Sequence, residues 1–280
     1  MKPALPTQSA TVTNSSVLFR IVSRISSRFL IQIAGLAGGG CLLVLSACQP
    51  QARVPPRWQH SDNLFSNPSF EEGRAPWTSL ADTSPYWGDF DLSDTVSHSG
   101  KHSARLALDS LDSNPRGTKV WGVVRDIESD HLPRTVSGYF QVQGWELGTP
   151  IQYLQVAVLV MPTSNGFPEA FDDPKVPVQL AWVLGGIDRP PFRILNRKFI
   201  FAGPLEIPQD RWVGFEFDLH RDFQEQWGFV PREFEKIRVL FEARYDGRQP
   251  GHGEVSGEVF YDDLYLGDQP IERSDSEQVP

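Results

Sequence analysis

The chain of 280 residues is acidic, with 35 Asp and Glu against 26 Lys and Arg for a net charge of −9, and 40% of it is hydrophobic. Affinity for nucleic acid or anionic lipid head groups comes largely from Lys and Arg, so this balance argues against both and favours neutral ligands. The two cysteines, Cys41 and Cys48, sit too close to the start to staple the body of the chain, whose fold must rest on its core, with or without a metal.

Residues 1–47 carry Lys2, Arg20, Arg24 and Arg28 with no acidic residue, then an apolar run from Phe29 to Ala47. A basic flank before such a run is the pattern of an export signal. Leu45-Ser46-Ala47-Cys48, followed by Gln49-Pro50, resembles a bacterial lipobox. That resemblance implies a lipoprotein signal peptide over 1–47 and a lipid on Cys48. A retained anchor is the alternative, since Ile31 to Ala47 is only slightly short of a span. Ser46 and Ala47 beside the cysteine favour cleavage, whereas Cys41 lacks a bulky aliphatic residue three positions upstream. Residues 48–62 read as the lipidated cysteine and a flexible tether. By family analogy, Gln49 in place of Asp points to the outer membrane of a Gram-negative cell envelope.

From 63 to 267 apolar and polar residues alternate, the pattern of half-buried strands. Ala104, Leu106 and Leu108 share a face, as do Phe140 and Val142, and Leu154, Val156, Val158 and Val160. Val178, Leu180, Trp182 and Leu184 form the next set, followed by Val213, Phe215, Phe217 and Leu219, and by Ile237, Val239, Phe241 and Ala243. The last strand places Phe260, Asp262, Leu264 and Leu266 on one side. One short helix is predicted where Leu219, Phe223 and Trp227 recur every four residues before Gly228 and Pro231. Residues 162–177 and 185–198 read as long loops, and 268–280 as a polar, disordered tail. The predicted fold class is all-β, a β-sandwich in a single domain.

Three segments carry a resemblance. Asn63-Leu64-Phe65-Ser66-Asn67-Pro68-Ser69-Phe70-Glu71-Glu72-Gly73 with Trp77, then Ser99-Gly100-Lys101-His102-Ser103-Ala104-Arg105-Leu106, and finally Val259-Phe260-Tyr261-Asp262-Asp263-Leu264-Tyr265-Leu266 are similar to the start, second strand and last strand of galactose-binding-domain-like jelly rolls, especially carbohydrate-binding modules of the family 4/9/22 type. The resemblance implies a jelly roll over 63–267 and a structural calcium (Ca2+) joining its first and last strands. Its ligands would be the side chains of Glu71 and Asp262, with backbone oxygens near Ser69 and Lys101. The residues supply a reason of their own, because a carboxylate among core side chains is costly unless paired, and a hard cation satisfies it. Pairing of Asp262 with Lys101 or Arg105, or its placement in water at an edge, is the other reading.

A saccharide needs flat apolar surfaces for its rings and a few polar groups to orient it. Gln141, Gln143 and Trp145 are predicted to share a strand face opposite Phe140 and Val142, with Tyr86, Trp87 and Tyr153 adding to the surface. Trp77, Trp121, Trp182 and Trp212 read equally well as core. Glu216 and Asp218 on one strand and Glu242 on another offer carboxylates for a polysaccharide hydrolase or lyase. No phosphate loop, zinc pattern or nucleophile elbow accompanies them. The expected function is a lipid-anchored, non-catalytic carbohydrate-binding or polysaccharide-associated envelope protein. Its alternatives are such an enzyme, or a scaffold binding an envelope protein partner through Phe167, Phe171 and Pro190-Pro191-Phe192.

Overall fold

Alternation of inward and outward side chains places eleven strands in two stacked sheets in a computed structural model that describes residues 56–109, 117–171, 173, 175–189 and 194–270. The signal segment, Cys48 and Pro190-Pro191-Phe192 lie outside the described residues, as do residues 271–280. In chain order the strands are β1 (Trp87–Gly88), β2 (Asp91–Ser93), β3 (Ser103–Asp109), β4 (Gly117–Ile127), β5 (Thr135–Glu146) and β6 (Gln152–Pro162). β7 (Val178–Gly185), β8 (Arg197–Phe201), β9 (Val213–Asp218), β10 (Phe234–Arg248) and β11 (Ser256–Gly267) follow, with α1 (Leu219–Trp227) between β9 and β10. One sheet has the order β1-β4-β10-β6-β7-β8 and the other β2-β3-β11-β5-β9. Neighbours are antiparallel except β1 with β4 and β7 with β8. The molecule is a β-sandwich jelly roll with one short helix.

The core between the sheets is formed by the alternating sets anticipated on β3, β5, β6, β7, β9 and β10. Phe241 sits near its middle, its ring 5.6 to 6.1 Å from those of Phe65, Trp77, Phe215 and Tyr261. Trp182 stacks on Phe217 at 5.0 Å and donates its indole N–H to Asp222 at 2.8 Å, so a buried polar atom is satisfied. The helix spans the expected residues. Asp218 caps it by accepting the Arg221 N–H at 3.0 Å, and Gly228 ends it at φ 82°.

Two bulges change faces. In β11 the core receives Val259, Tyr261, Leu264 and Leu266, because the pairing with β5 shifts between Asp262 and Tyr265, where Asp263 has φ 51°. One extra residue inverts the alternation, so Asp262 and Phe260 lie on the outer face of the five-stranded sheet and not beside Leu264 and Leu266 as expected. In β5 the pairing shifts between Gln143 and Glu146, at Gly144 with φ 56°. Trp145 is thereby turned to pack against the core of Phe140 and Val142, away from the outer face that holds Gln141 and Gln143.

β4 was not anticipated, because Val120-Trp121-Gly122-Val123-Val124 does not alternate. Both of its faces are covered, Trp121 and Val123 within the sandwich and Val124 outside it, beneath Leu80 and Trp87. β8 begins inside the stretch read as a loop over 185–198. The reading of 48–62 as a flexible tether differs from the structure over its last residues. Arg57 pairs with Glu216, and Asp62 accepts from the Tyr265 hydroxyl at 3.0 Å and from the Asp268 N–H at 3.1 Å. The same contacts fix Asp268 and Gln269 at the start of the expected tail.

Candidate functional site

At one end of the sandwich three connections enclose a groove of about 840 Å³. They are the β5–β6 turn, the segment before β9 and the β10–β11 loop. Its apolar wall is Trp145, Leu147, Pro150, Leu205 and Ile207, and its polar groups are Thr149, Glu206, Gln209 and His252. Leu147 and Leu205, at its rim, are 64% and 55% exposed.

Hydrogen bonds fix this end. Fully buried Gln152 accepts the Gly148 N–H at 2.9 Å and donates to the Glu146 carbonyl at 2.9 Å, closing the turn beneath it. Gly148 lies so close to the backbone of Glu254 that a side chain there would collide with it. Arg248 donates through Nε and Nη2 to the Gly253 carbonyl at 3.2 and 2.8 Å. Gln209 accepts the Trp145 N–H at 2.9 Å, and Asp210 donates its N–H to Val142 at 2.8 Å, tying the segment before β9 to β5. The Thr149 hydroxyl is buried and has no hydrogen-bond partner. A buried hydroxyl without a partner costs about 1–3 kcal/mol.

The six expected ligand residues divide among three places, and only Trp145 belongs to this groove. Gln141 and Gln143 face outward from the five-stranded sheet beside Phe260 and Glu258. Tyr86 is 53% exposed, and Trp87 packs over Val124, Ala157, Ala181 and Leu240 on the outer face of the six-stranded sheet. Tyr153 is fully buried on that same face. Its hydroxyl donates to Asp246 at 2.8 Å, and burial pushes its pKa up. Around it Glu242 pairs with Gln155, Arg244 bonds Asp246 at 2.8 Å, and Arg197 is held below its usual pKa by burial. This polar cluster is enclosed by the protein's own side chains. Thr149, Leu147, Leu205, Gln209 and His252 went unread in the sequence, since turn residues lack periodicity. The signal available was apolar residues set among Gly and Pro at 147–150 and 203–208.

Glu71 and Asp262 bind different residues of the loop at 98–102. Glu71 accepts the N–H groups of Lys101 and His102, both at 2.8 Å, and Asp262 accepts those of His98 at 2.7 Å and Ser99 at 3.2 Å. Neither Lys101 nor Arg105 is a salt-bridge partner of Asp262, and Arg105 pairs with Glu258. Neighbouring Asp263 binds His98 Nδ1 at 2.6 Å and Ser99 Oγ at 2.7 Å. Burial, and next the charge of Asp263, push the Asp262 carboxyl up to about 7 against three backbone N–H groups. For Glu71, burial is outweighed by its backbone donors and its pKa falls. Ser69 is buried on the adjoining segment, where Pro68 accepts the Leu264 N–H at 3.0 Å. Among the described residues no three His, Cys, Asp or Glu side chains stand together as a metal cluster. Asp262 and Asp263 are both buried, whereas Glu71, the expected partner of Asp262, is exposed.

The carboxylates considered for catalysis are apart. Glu216 and Asp218 lie on β9 of one sheet, engaged by Arg57 and by the helix N-terminus, and Glu242 is buried on β10 of the other. His220 bonds the Leu132 carbonyl at 2.7 Å, and His98 stacks on Tyr139 at 3.6 Å.

No family model matches the chain, and no curated protein matches it. Solved structures do. A family 61 carbohydrate-binding module in complex with β-1,4-galactotriose shares 15% identity at a TM-score of 0.37, over 75% of this chain and 100% of that one. The CBM22-1 xylan-binding domain from Paenibacillus barcinonensis Xyn10C shares 14% at 0.36, over 75% and 97%. A putative glycoside hydrolase from Bacteroides thetaiotaomicron shares 12% at 0.35, over 71% and 63%.

Proposed function

We propose that this protein is a lipid-anchored, non-catalytic carbohydrate-binding protein of the cell envelope, with the saccharide seated in the end groove. The observation that carries this reading is the groove itself. It is wide enough for more than one sugar ring, walled on one side by an indole and aliphatic side chains, and holds an unpartnered buried hydroxyl among exposed polar groups. A panel of neutral polysaccharides in affinity gels tests it: retardation by at least one, lost in Trp145→Ala with the melting temperature kept, is the expected result. No retardation by any polysaccharide would remove the reading. The hydrolase or lyase alternative is disfavoured by the structural engagement of Glu216, Asp218 and Glu242. Product release that is lost in Glu242→Gln would restore it.

The lipid belongs to Cys48, with delivery to the outer membrane, and labelled palmitate incorporated by the wild type but not by Cys48→Ala is the expected mark. Calcium would be held between Glu71 and Asp262, with oxygens near Ser69 and Lys101, and would act as a staple. Added calcium should raise the melting temperature of the wild type but not of Asp262→Ala. Equal melting temperatures with calcium and with chelator would leave the metal without support.

A further inference from the structure

The described lining of the groove is sparse in charge. Its lining contains one carboxylate, Glu206, and one imidazole, His252, and among the described residues that line it there is no Lys or Arg. Arg248, at the adjoining end of β10, is buried, with Nε and Nη2 both committed to the Gly253 carbonyl, so it organises the loop without presenting a cation to the groove. A uronate entering here would meet the exposed Glu206 carboxylate in a protein that is itself acidic, with the His252 imidazole as the one group of the described lining that can take up a proton. A protonated amine on the same sugar backbone would meet the exposed Glu206 carboxylate and the Trp145 indole face. The unpartnered Thr149 hydroxyl is neutral and discriminates against neither.

We propose that the groove favours amino-bearing glycans over neutral ones and neutral ones over polyuronates; this rests on the saccharide-binding reading above. An exposed carboxylate–ammonium pair gives a roughly twofold to fivefold advantage, and the like-charge contact of a uronate with the same carboxylate gives a loss of the same order.

Calorimetric titration of the full-length protein with matched β-1,4 tetramers of glucosamine, glucose and glucuronate at pH 6 reads this directly. The expected order is glucosamine tighter than glucose by that factor and glucuronate weaker than glucose by a similar one, with both differences reduced in Glu206→Gln. Glucuronate binding as tightly as glucose, or differences unmoved by Glu206→Gln, would overturn the selectivity and leave saccharide binding standing. Failure of all three tetramers would overturn both.

Discussion

At the scale of single residues, polar groups divide into those the fold satisfies and those it leaves without a partner. Asp126 is of the first kind. Hydrogen bonds from Arg238 foremost, and from Lys236, hold its carboxyl at about 2 against the cost of its partial burial. Its folded pKa lies below the unfolded value, so its stabilisation is present above about pH 4 and is lost as pH falls through 2. The side chain is about one-third exposed, so solvent screening reduces the contribution to about 1 kcal/mol. Urea denaturation of Asp126→Asn should show that loss at pH 7 and only a small part of it at pH 2. Thr149 is of the second kind. Thr149→Val removes a buried hydroxyl without a partner, so the melting temperature should hold or rise while saccharide affinity is kept. A melting temperature that falls along with the affinity would mark the hydroxyl as structural.

At the scale of elements, caps and bulges decide which side chains reach which surface. Asp218 leaves β9 and starts α1 in one residue, so Asp218→Ala should cost about 1 kcal/mol in chemical denaturation through the lost cap, with the sheet registers intact. Much of this was legible in the sequence. Period-two alternation on six strands and the four-residue spacing of Leu219, Phe223 and Trp227 map directly onto burial. The bulges were not legible, since Gly144 and Asp263 show as irregular only once a partner strand fixes the register. Each displaced one expectation: Asp262 left the inter-sheet core, and Trp145 left the face of Gln141 and Gln143. β4 escaped because a strand covered on both faces has no alternation to read. Of the site, Trp145 was legible as an aromatic, whereas Thr149, Gln209 and His252 become neighbours only through three separate turns.

At the scale of the whole molecule, the opening and closing segments lie side by side. The Leu64 N–H bonds the Leu266 carbonyl at 2.8 Å, and Asn63 bonds both Leu264 and Leu266. The described chain therefore starts at the Gly267 end of β11, whereas the groove opens at the Ser256 end, 12 residues or roughly 35 Å away. A saccharide there would be bound on the side remote from the point where the chain enters the domain. Amide and indole shifts on titrating the isotopically labelled protein with a bound saccharide test this assignment most directly. The account predicts perturbations concentrated on the Trp145 indole, Gly148, Thr149, Gln209 and Gly253. Perturbations gathered instead around Trp87 and Tyr153 on the outer face of the six-stranded sheet would contradict it.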